Sequence, residues 1–395
     1  MLKRIICLAA AFALSLACFM SSSLGMEEED IDMELLFPTV DDTPSRDKKD
    51  SDGSYLMTIT CAGDFTIGKD MNHKDIFGAA LKKHDGDVNF VMQNVRDIFL
   101  DDDLTLINFE GTLTNSTYKP KSKTKDDFIF SAPPEWVSVL PDNGVEAVSL
   151  DNNHVRDHGE EGLRDTIDAL SGAGVIYSYP LESGVFNYKG EVLVCMLSYN
   201  CIDRYGEDFH NPKYQGEYSE SFLSYTYFED AVKAEIEAAK KIYPLVIVSF
   251  HWGIELWNKP TVNQIRMGHA AIDAGADLVV GTHSHRLQPI EVYKDKFIIY
   301  SLGNFCFAGN KKPSDMSSIL FQIRYRVKEG KIFYKDFRII PIRISSTRET
   351  NDFIPTVLED YNNGAAIDAI LNIMRDPQNT KDLDHVVTDF PMTFE

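Results

Sequence analysis

A chain of 395 residues that is 44% apolar and 11% aromatic can bury a large core. That excludes a disordered protein and leaves one large α/β domain or two smaller ones. A formal net charge of −22 argues against general binding to nucleic acid or anionic membranes, so an anionic substrate needs a local positive feature to approach.

In chain order, Lys3 and Arg4 precede the apolar run Ile5–Met20, and Ser23-Leu24-Gly25 puts small residues at both key positions of a cleavage site. The run is shorter than the roughly 18 residues of a spanning helix. Residues 1–25 therefore read as an export signal, cleaved in preference to being retained as an anchor. That places the protein outside the cell or on its envelope. Residues 26–54 are acidic and polar, too poor in apolar side chains to order themselves, and read as a flexible linker. A domain over 55–345 and a C-terminal extension over 346–395 that packs on it complete the organisation.

Inside the domain, the pattern predicts strand 55–61, helices near 74–83 and 89–99, strand 104–108 and an extended stretch near 127–131. Helix 134–140, strand 145–149, helix 160–173 and strand 175–178 follow. Residues 184–198 read as a hairpin turning at Lys189-Gly190, and 200–226 as a long surface insertion. Helix 229–241, strand 245–250, helix 261–274 and strand 277–281 come next. Residues 287–345 alternate in a way that predicts an antiparallel meander closing the fold, and one helix is expected near 364–375. Cys61 and Cys195 fall in strand-like runs and read as buried apolar residues.

Five of the strand-like runs end in residues that bind metals. They are followed by Gly63-Asp64, Asn108-Phe109-Glu110, Asn152-Asn153-His154, His251-Trp252-Gly253 and Gly281-Thr282-His283-Ser284-His285. Ligands in such sheets gather beyond the carboxyl ends of the strands. In an extended segment residues two apart share a face, so His283 and His285 would aim two imidazoles at one point. Singly, each is open to another reading: Asn152-Asn153 can be a turn, and Asp64 and Glu110 each flank a glycine. Together they suggest a metal site assembled from distant sequence. Nitrogen and oxygen donors without thiolate suit one or two divalent ions, Mn, Fe, Zn or Mg.

Three further features bear on substrate. Lys119, Lys121, Lys123 and Lys125 alternate, and an extended chain would aim all four one way as a positive rim for an anionic polymer or phosphate; the alternative is a solvated lysine loop. Trp252, Trp257 and Tyr300 either stack on substrate or belong to the core. Asn304, in Leu302-Gly303-Asn304-Phe305, is either a turn residue or a contact at the metal site.

The chain resembles the CapA family of capsule-synthesis proteins associated with poly-γ-glutamate, which in turn resembles the calcineurin-like metallophosphoesterases. The segments that carry the resemblance are Ala62-Gly63-Asp64, Asn108-Phe109-Glu110-Gly111, Asn152 through Gly159, His251-Trp252-Gly253, Gly281 through His285 and Tyr300 through Phe305. It implies an α/β fold, a metallophosphoesterase-like β-sandwich of mixed sheets flanked by helices in four αββα layers. It also implies a two-metal centre. Glu110 would bridge, Asn153, His251 and His283 would hold one ion, and Asp64 and His285 the other. His154 would act as general acid or as a donor to the transition state, with Asp157 orienting it. One departure stands out: phosphoesterases open with Asp-x-His, whereas Asp64-Phe65-Thr66 lacks the histidine, leaving that half of the centre a ligand short.

Two functions follow. One is an exported metal-dependent hydrolase acting on a phosphoester or on a bond in an envelope polymer. The other is a non-catalytic polymer-binding or scaffold component of a poly-γ-glutamate synthesis or export complex, in contact with its membrane proteins. A barrel of the amidohydrolase type also uses His-x-His, but there the pair comes from the first strand, and here it comes late.

Overall fold

A strand covered on both faces needs a near-continuous apolar run, and this chain places such runs in two mixed sheets. The computed structural model describes residues 49–121, 123–180, 182–202 and 225–394. The expected signal over 1–25, most of the acidic linker and residues 203–224 of the expected insertion lie outside the described residues.

The first sheet runs in the order β17 (Thr356–Val357), β16 (Lys331–Arg343), β15 (Ser317–Lys328), β1 (Tyr55–Thr66), β3 (Leu104–Phe109), β6 (Ala147–Ser149) and β7 (Ile176–Ser178). β14 (Asn304–Phe307) lies parallel to the C-terminal part of β1. The second sheet runs β12 (Ile290–Tyr293), β13 (Lys296–Ile299), β11 (Leu278–Thr282), β10 (Leu245–Gly253), β9 (Val192–Ile202) and β8 (Gly184–Tyr188). A small sheet of β2 (Lys69–Asp70), β5 (Phe130–Ala132) and β4 (Thr112–Leu113) sits apart.

The two large sheets bury their facing sides against each other. Met57, Ile59, Leu104 and Leu106 of the first meet Val194, Ile247, Leu278 and Ile299 of the second in one core cluster. Helix α1 (Gly159–Gly172) sets Leu163 and Leu170 on the outer face of the first sheet, with Ile107 and Val148. Helices α2 (Tyr225–Ile242) and α3 (Val262–Ala274) cover the outer face of the second, packing Val232, Ile236, Met267 and Ala271 on Val246, Val248 and Val279. The result is the expected four-layer αββα arrangement. Helix α3 starts at a reciprocal capping box between Thr261 and Gln264 and stops at left-handed Gly275. Helix α4 (Asp360–Arg375) sends Ile367, Ile370 and Met374 into the core between the sheets.

Most expected elements have counterparts in the structure, with shifted ends. The predicted strand 55–61 continues to Thr66. The helix expected at 89–99 is a 3₁₀ stretch, Val88–Met92, followed by a single turn at Arg96–Phe99, and that expected at 134–140 is 3₁₀. The hairpin turns at Lys189 and Gly190, both at positive φ as a tight two-residue turn requires. The expected meander over 287–345 is corrected: its strands divide between the two sheets. The hairpin β12–β13 joins the second sheet beside β11, whereas β14, β15 and β16 join the first. The chain crosses over at left-handed Gly303, and a crossing of this kind has the same turn chemistry as a hairpin.

That crossing presses on β1. A Cβ built on Gly63 would lie 1.9 Å from the Gly303 carbonyl oxygen, and the amide of Asp64 donates to that same oxygen at 3.0 Å. Gly63→Ala is expected to destabilise the protein by about 1–3 kcal/mol through overpacking, measured by urea unfolding. An unchanged midpoint would show that the two backbones separate freely.

Candidate metal centre

The C-terminal ends of β1, β3 and β6 in one sheet and of β10 and β11 in the other open on one edge, because β1, β3 and β6 run parallel to one another, as do β10 and β11. Each strand end delivers polar side chains there. The six ligand candidates read from the sequence, Asp64, Glu110, Asn153, His251, His283 and His285, come together at this edge in two groups around Glu110. Donor atoms of Glu110, His251 and His283 lie within 4.8 Å of one another, as do those of Asp64, Glu110 and His285.

In the first group, His251 Nε2 lies 2.8 Å from Asn153 Oδ1, 3.1 Å from His283 Nδ1 and 3.6 Å from Glu110 Oε1. Thr282 Oγ1 and Asn108 Nδ2 flank the other ring nitrogen of His251 at 3.0 and 3.2 Å, fixing the ring so that Nε2 faces Glu110. In the second group, His285 Nδ1 is 3.3 Å from Asp64 Oδ2 and 2.9 Å from Asn304 Oδ1. Asn304 is therefore a contact at the site. The two histidines do not converge as an extended pair, which corrects the sequence reading. His283 and His285 have φ of 87° and 52°, so a left-handed turn after β11 aims them.

Glu110 lies at the centre of both groups. Both its carboxylate oxygens are buried, and neither has a hydrogen-bond partner among the described residues. Burial, then the adjacent Asp64 carboxylate, push its carboxyl well above the ordinary range. Burial and then His283 and His285 push His251 well below its own. Burial would lower His285 too, but Glu110 and Asp64 outweigh it and hold it at about 10. Two carboxylates, three imidazoles and an amide oxygen with an orphaned carboxylate at their centre fit divalent cations, which remove the repulsion and satisfy the bare oxygens together.

His154 stands beside this group, with Nε2 3.8 Å from Glu110 Oε1. Its Nδ1 lies 2.7 Å from Asp157 Oδ2, an oxygen that also accepts the Phe130 amide at 2.7 Å. Burial disfavours the Asp157 anion, yet His154 and Lys123 outweigh it and hold the carboxyl below its ordinary value. An ionised Asp157 only accepts, so Nδ1 of His154 carries the proton and Nε2 faces the site.

Two substrate expectations are corrected. The segment holding Lys119, Lys121, Lys123 and Lys125 is not extended. It turns at Pro120–Lys123 and at Thr124–Asp127, so the extended alternation that would align the four side chains is absent. Lys119 bonds Asn72, while Lys123 turns inward to Asp157 Oδ1 at 2.9 Å. Trp252 belongs to the core beneath α3. It stacks on Phe250 with ring centroids 4.4 Å apart, and its indole donates to the Tyr300 carbonyl at 2.8 Å. Strand parity explains this: His251 faces the site, so its neighbour faces the opposite side.

Other residues of the site escaped the sequence reading. Asn108 donates to Asp64 Oδ1 at 2.8 Å, and Asn152 links the Phe109 carbonyl to the His154 amide. Asn108 precedes Glu110 by two positions, and that spacing on one strand face was a usable signal.

Known proteins resemble this chain over more than half of its length. It is 30% identical over 275 residues to the capsule biosynthesis protein CapA of Bacillus anthracis, covering 68% of this chain and 64% of that protein. It is 33% identical over 247 residues to the PGA biosynthesis protein CapA of Bacillus subtilis (strain 168), covering 59% and 61%. The chain thus spans somewhat less than two thirds of each of these relatives. Among solved structures it is similar to the calcineurin-like phosphoesterase YfkN from Bacillus subtilis, at 13% identity and a TM-score of 0.42, covering 82% of this chain and 100% of that one. The profile of the family described as bacterial capsule synthesis protein PGA_cap matches residues 58–309, a stretch that contains every ligand candidate named above, and the chain belongs to that family.

Proposed function

We propose that this chain is an exported, metal-dependent hydrolase of poly-γ-glutamate capsule biosynthesis, acting on a phosphoester or on a bond within an envelope polymer. Its expected partners are that anionic substrate and the membrane proteins of a synthesis or export complex. The observation that carries the reading is Glu110, a buried carboxylate with no hydrogen-bond partner among the described residues, ringed by ligand-type side chains at the shared edge of two sheets. The two CapA relatives, named for capsule and PGA biosynthesis, supply the context. Export rests on the charged and apolar pattern of residues 1–25.

Asp64, Glu110, Asn153, His251, His283 and His285 would hold the ions, which supply Lewis acidity and neutralise charge developing on a phosphoryl or acyl group. The remaining work falls to the chain. Asp157 keeps the His154 proton on Nδ1, so Nε2 can take the proton that an attacking water gives up on the Glu110 side and deliver it to the leaving group as the bond to that group breaks. Lys123 holds Asp157 ionised throughout. Burial of Glu110, His251 and His283 keeps bulk water from competing for these contacts.

The test is turnover of bis-p-nitrophenyl phosphate and of poly-γ-glutamate by metal-replete protein, with His154→Ala alongside. The expected result is metal-dependent turnover that falls by about 10²-fold or more in His154→Ala, with metal content unchanged. Full metal occupancy without turnover of either substrate would overturn catalysis and favour the polymer-binding role, for which Thr66 in place of the Asp-x-His histidine is the supporting feature.

A further inference from the structure

We propose that Asn304 is itself a metal ligand, completing the half of the centre formed by Asp64 and His285. The inference rests on the metal-binding reading above and adds to it a residue from outside the five strand ends. Asn304 opens β14, and its Cα is paired in register with that of Asp64 across the parallel β1–β14 contact. Gly63 lets the two backbones close to the point where Asp64 donates its amide to Gly303. The side chain of Asn304 is thereby carried to the site and buried there, with 6% exposure. Its Oδ1 lies 2.9 Å from the same His285 nitrogen that Asp64 Oδ2 approaches at 3.3 Å. Three donors from three separate segments thus face one another beside Glu110.

The other half is built in the same way. There Asn153 Oδ1 lies 2.8 Å from His251 Nε2, next to the same Glu110. Each half consequently has one asparagine amide oxygen beside an imidazole nitrogen, with Glu110 shared between them. Thr66 brings no imidazole to this half, and its buried hydroxyl is engaged with the Glu110 backbone carbonyl at 2.8 Å. Asn304 fills the shortfall instead. The halves then differ in character. Asp64, Glu110, His285 and Asn304 offer three oxygens and one nitrogen, whereas Glu110, Asn153, His251 and His283 offer two of each. The first set is harder and favours Mn²⁺ or Mg²⁺, while the second favours Zn²⁺ or Fe.

The experiment is titration of the full chain, stripped with a chelator, with Mn²⁺ followed by paramagnetic resonance and with Zn²⁺ followed by elemental analysis after dialysis. Wild type is expected to hold two ions. Asn304→Ala is expected to weaken one Mn²⁺ site by at least about tenfold and leave the other unchanged, while Asn304→Asp, which keeps an oxygen donor, holds both. Should Asn304→Ala not fold, Asn304→His decides: exchanging amide oxygen for imidazole nitrogen is expected to shift one site from Mn²⁺ toward Zn²⁺. Two ions in wild type with unchanged affinities in Asn304→Ala, or an unchanged metal ratio in Asn304→His, would overturn the proposal. If wild type itself holds no ion, the metal reading fails and this proposal fails with it.

Discussion

Glu110→Gln is expected to change stability in opposite directions depending on metal. In chelator, the substitution removes a buried carboxylate that has no hydrogen-bond partner among the described residues and that Asp64 repels, so the variant should unfold at higher urea than wild type. With Mn²⁺ or Zn²⁺ in excess the order should reverse. An ion at a thousandfold its dissociation constant stabilises the folded state by about 4 kcal/mol, and the variant forfeits much of that at both halves because Glu110 belongs to both groups. The measurement is urea unfolding of both proteins with and without metal. The same order of midpoints under both conditions would mean that Glu110 is not held in place for a cation.

Asp157→Ala should have the largest effect away from the ligands. Asp157 is fully buried and joins Lys123, His154 and the Phe130 amide. Removing one partner of a buried ion pair costs about 3–5 kcal/mol, and Lys123, only 15% exposed, would be left beside His154 without a counter-charge. Turnover should fall with stability, because the His154 ring loses the group that sets its tautomer. Acid dependence gives an independent check. The folded-state carboxyl is held below its ordinary value, so its contribution is present in full above about pH 4 and disappears as pH falls through the lowered value. Wild type should thus lose part of its advantage over Asp157→Ala in acid. A difference below about 0.5 kcal/mol at pH 7 would contradict the role assigned to this pair.

How much of this was legible in sequence depended on the range of the interactions. Asp64, Glu110, Asn153, His251, His283 and His285 could be collected because each follows an apolar run, and parallel strands must present those ends on a common edge. Trp252 could have been placed by parity with His251, and Asn108 by parity with Glu110. The left-handed turn at His283 and His285 could not, since neither residue type demands positive φ and the surrounding structure imposes it. Lys123 was misread for a similar reason. Alternating lysines suggest an extended rim, but the buried Asp157, 34 positions on, draws one of them inward. The division of residues 287–345 between two sheets was hidden as well, because a crossing and a hairpin use the same turn residues.

Ions gathered around Glu110 would be visible by anomalous scattering. Crystals of the full chain grown with Mn²⁺ are expected to give two anomalous peaks flanking the Glu110 carboxylate, one bounded by His251, His283 and Asn153 and the other by Asp64, His285 and Asn304. Absence of any peak at Glu110, with Mn²⁺ in excess and these side chains in the positions described, would contradict a metal centre here.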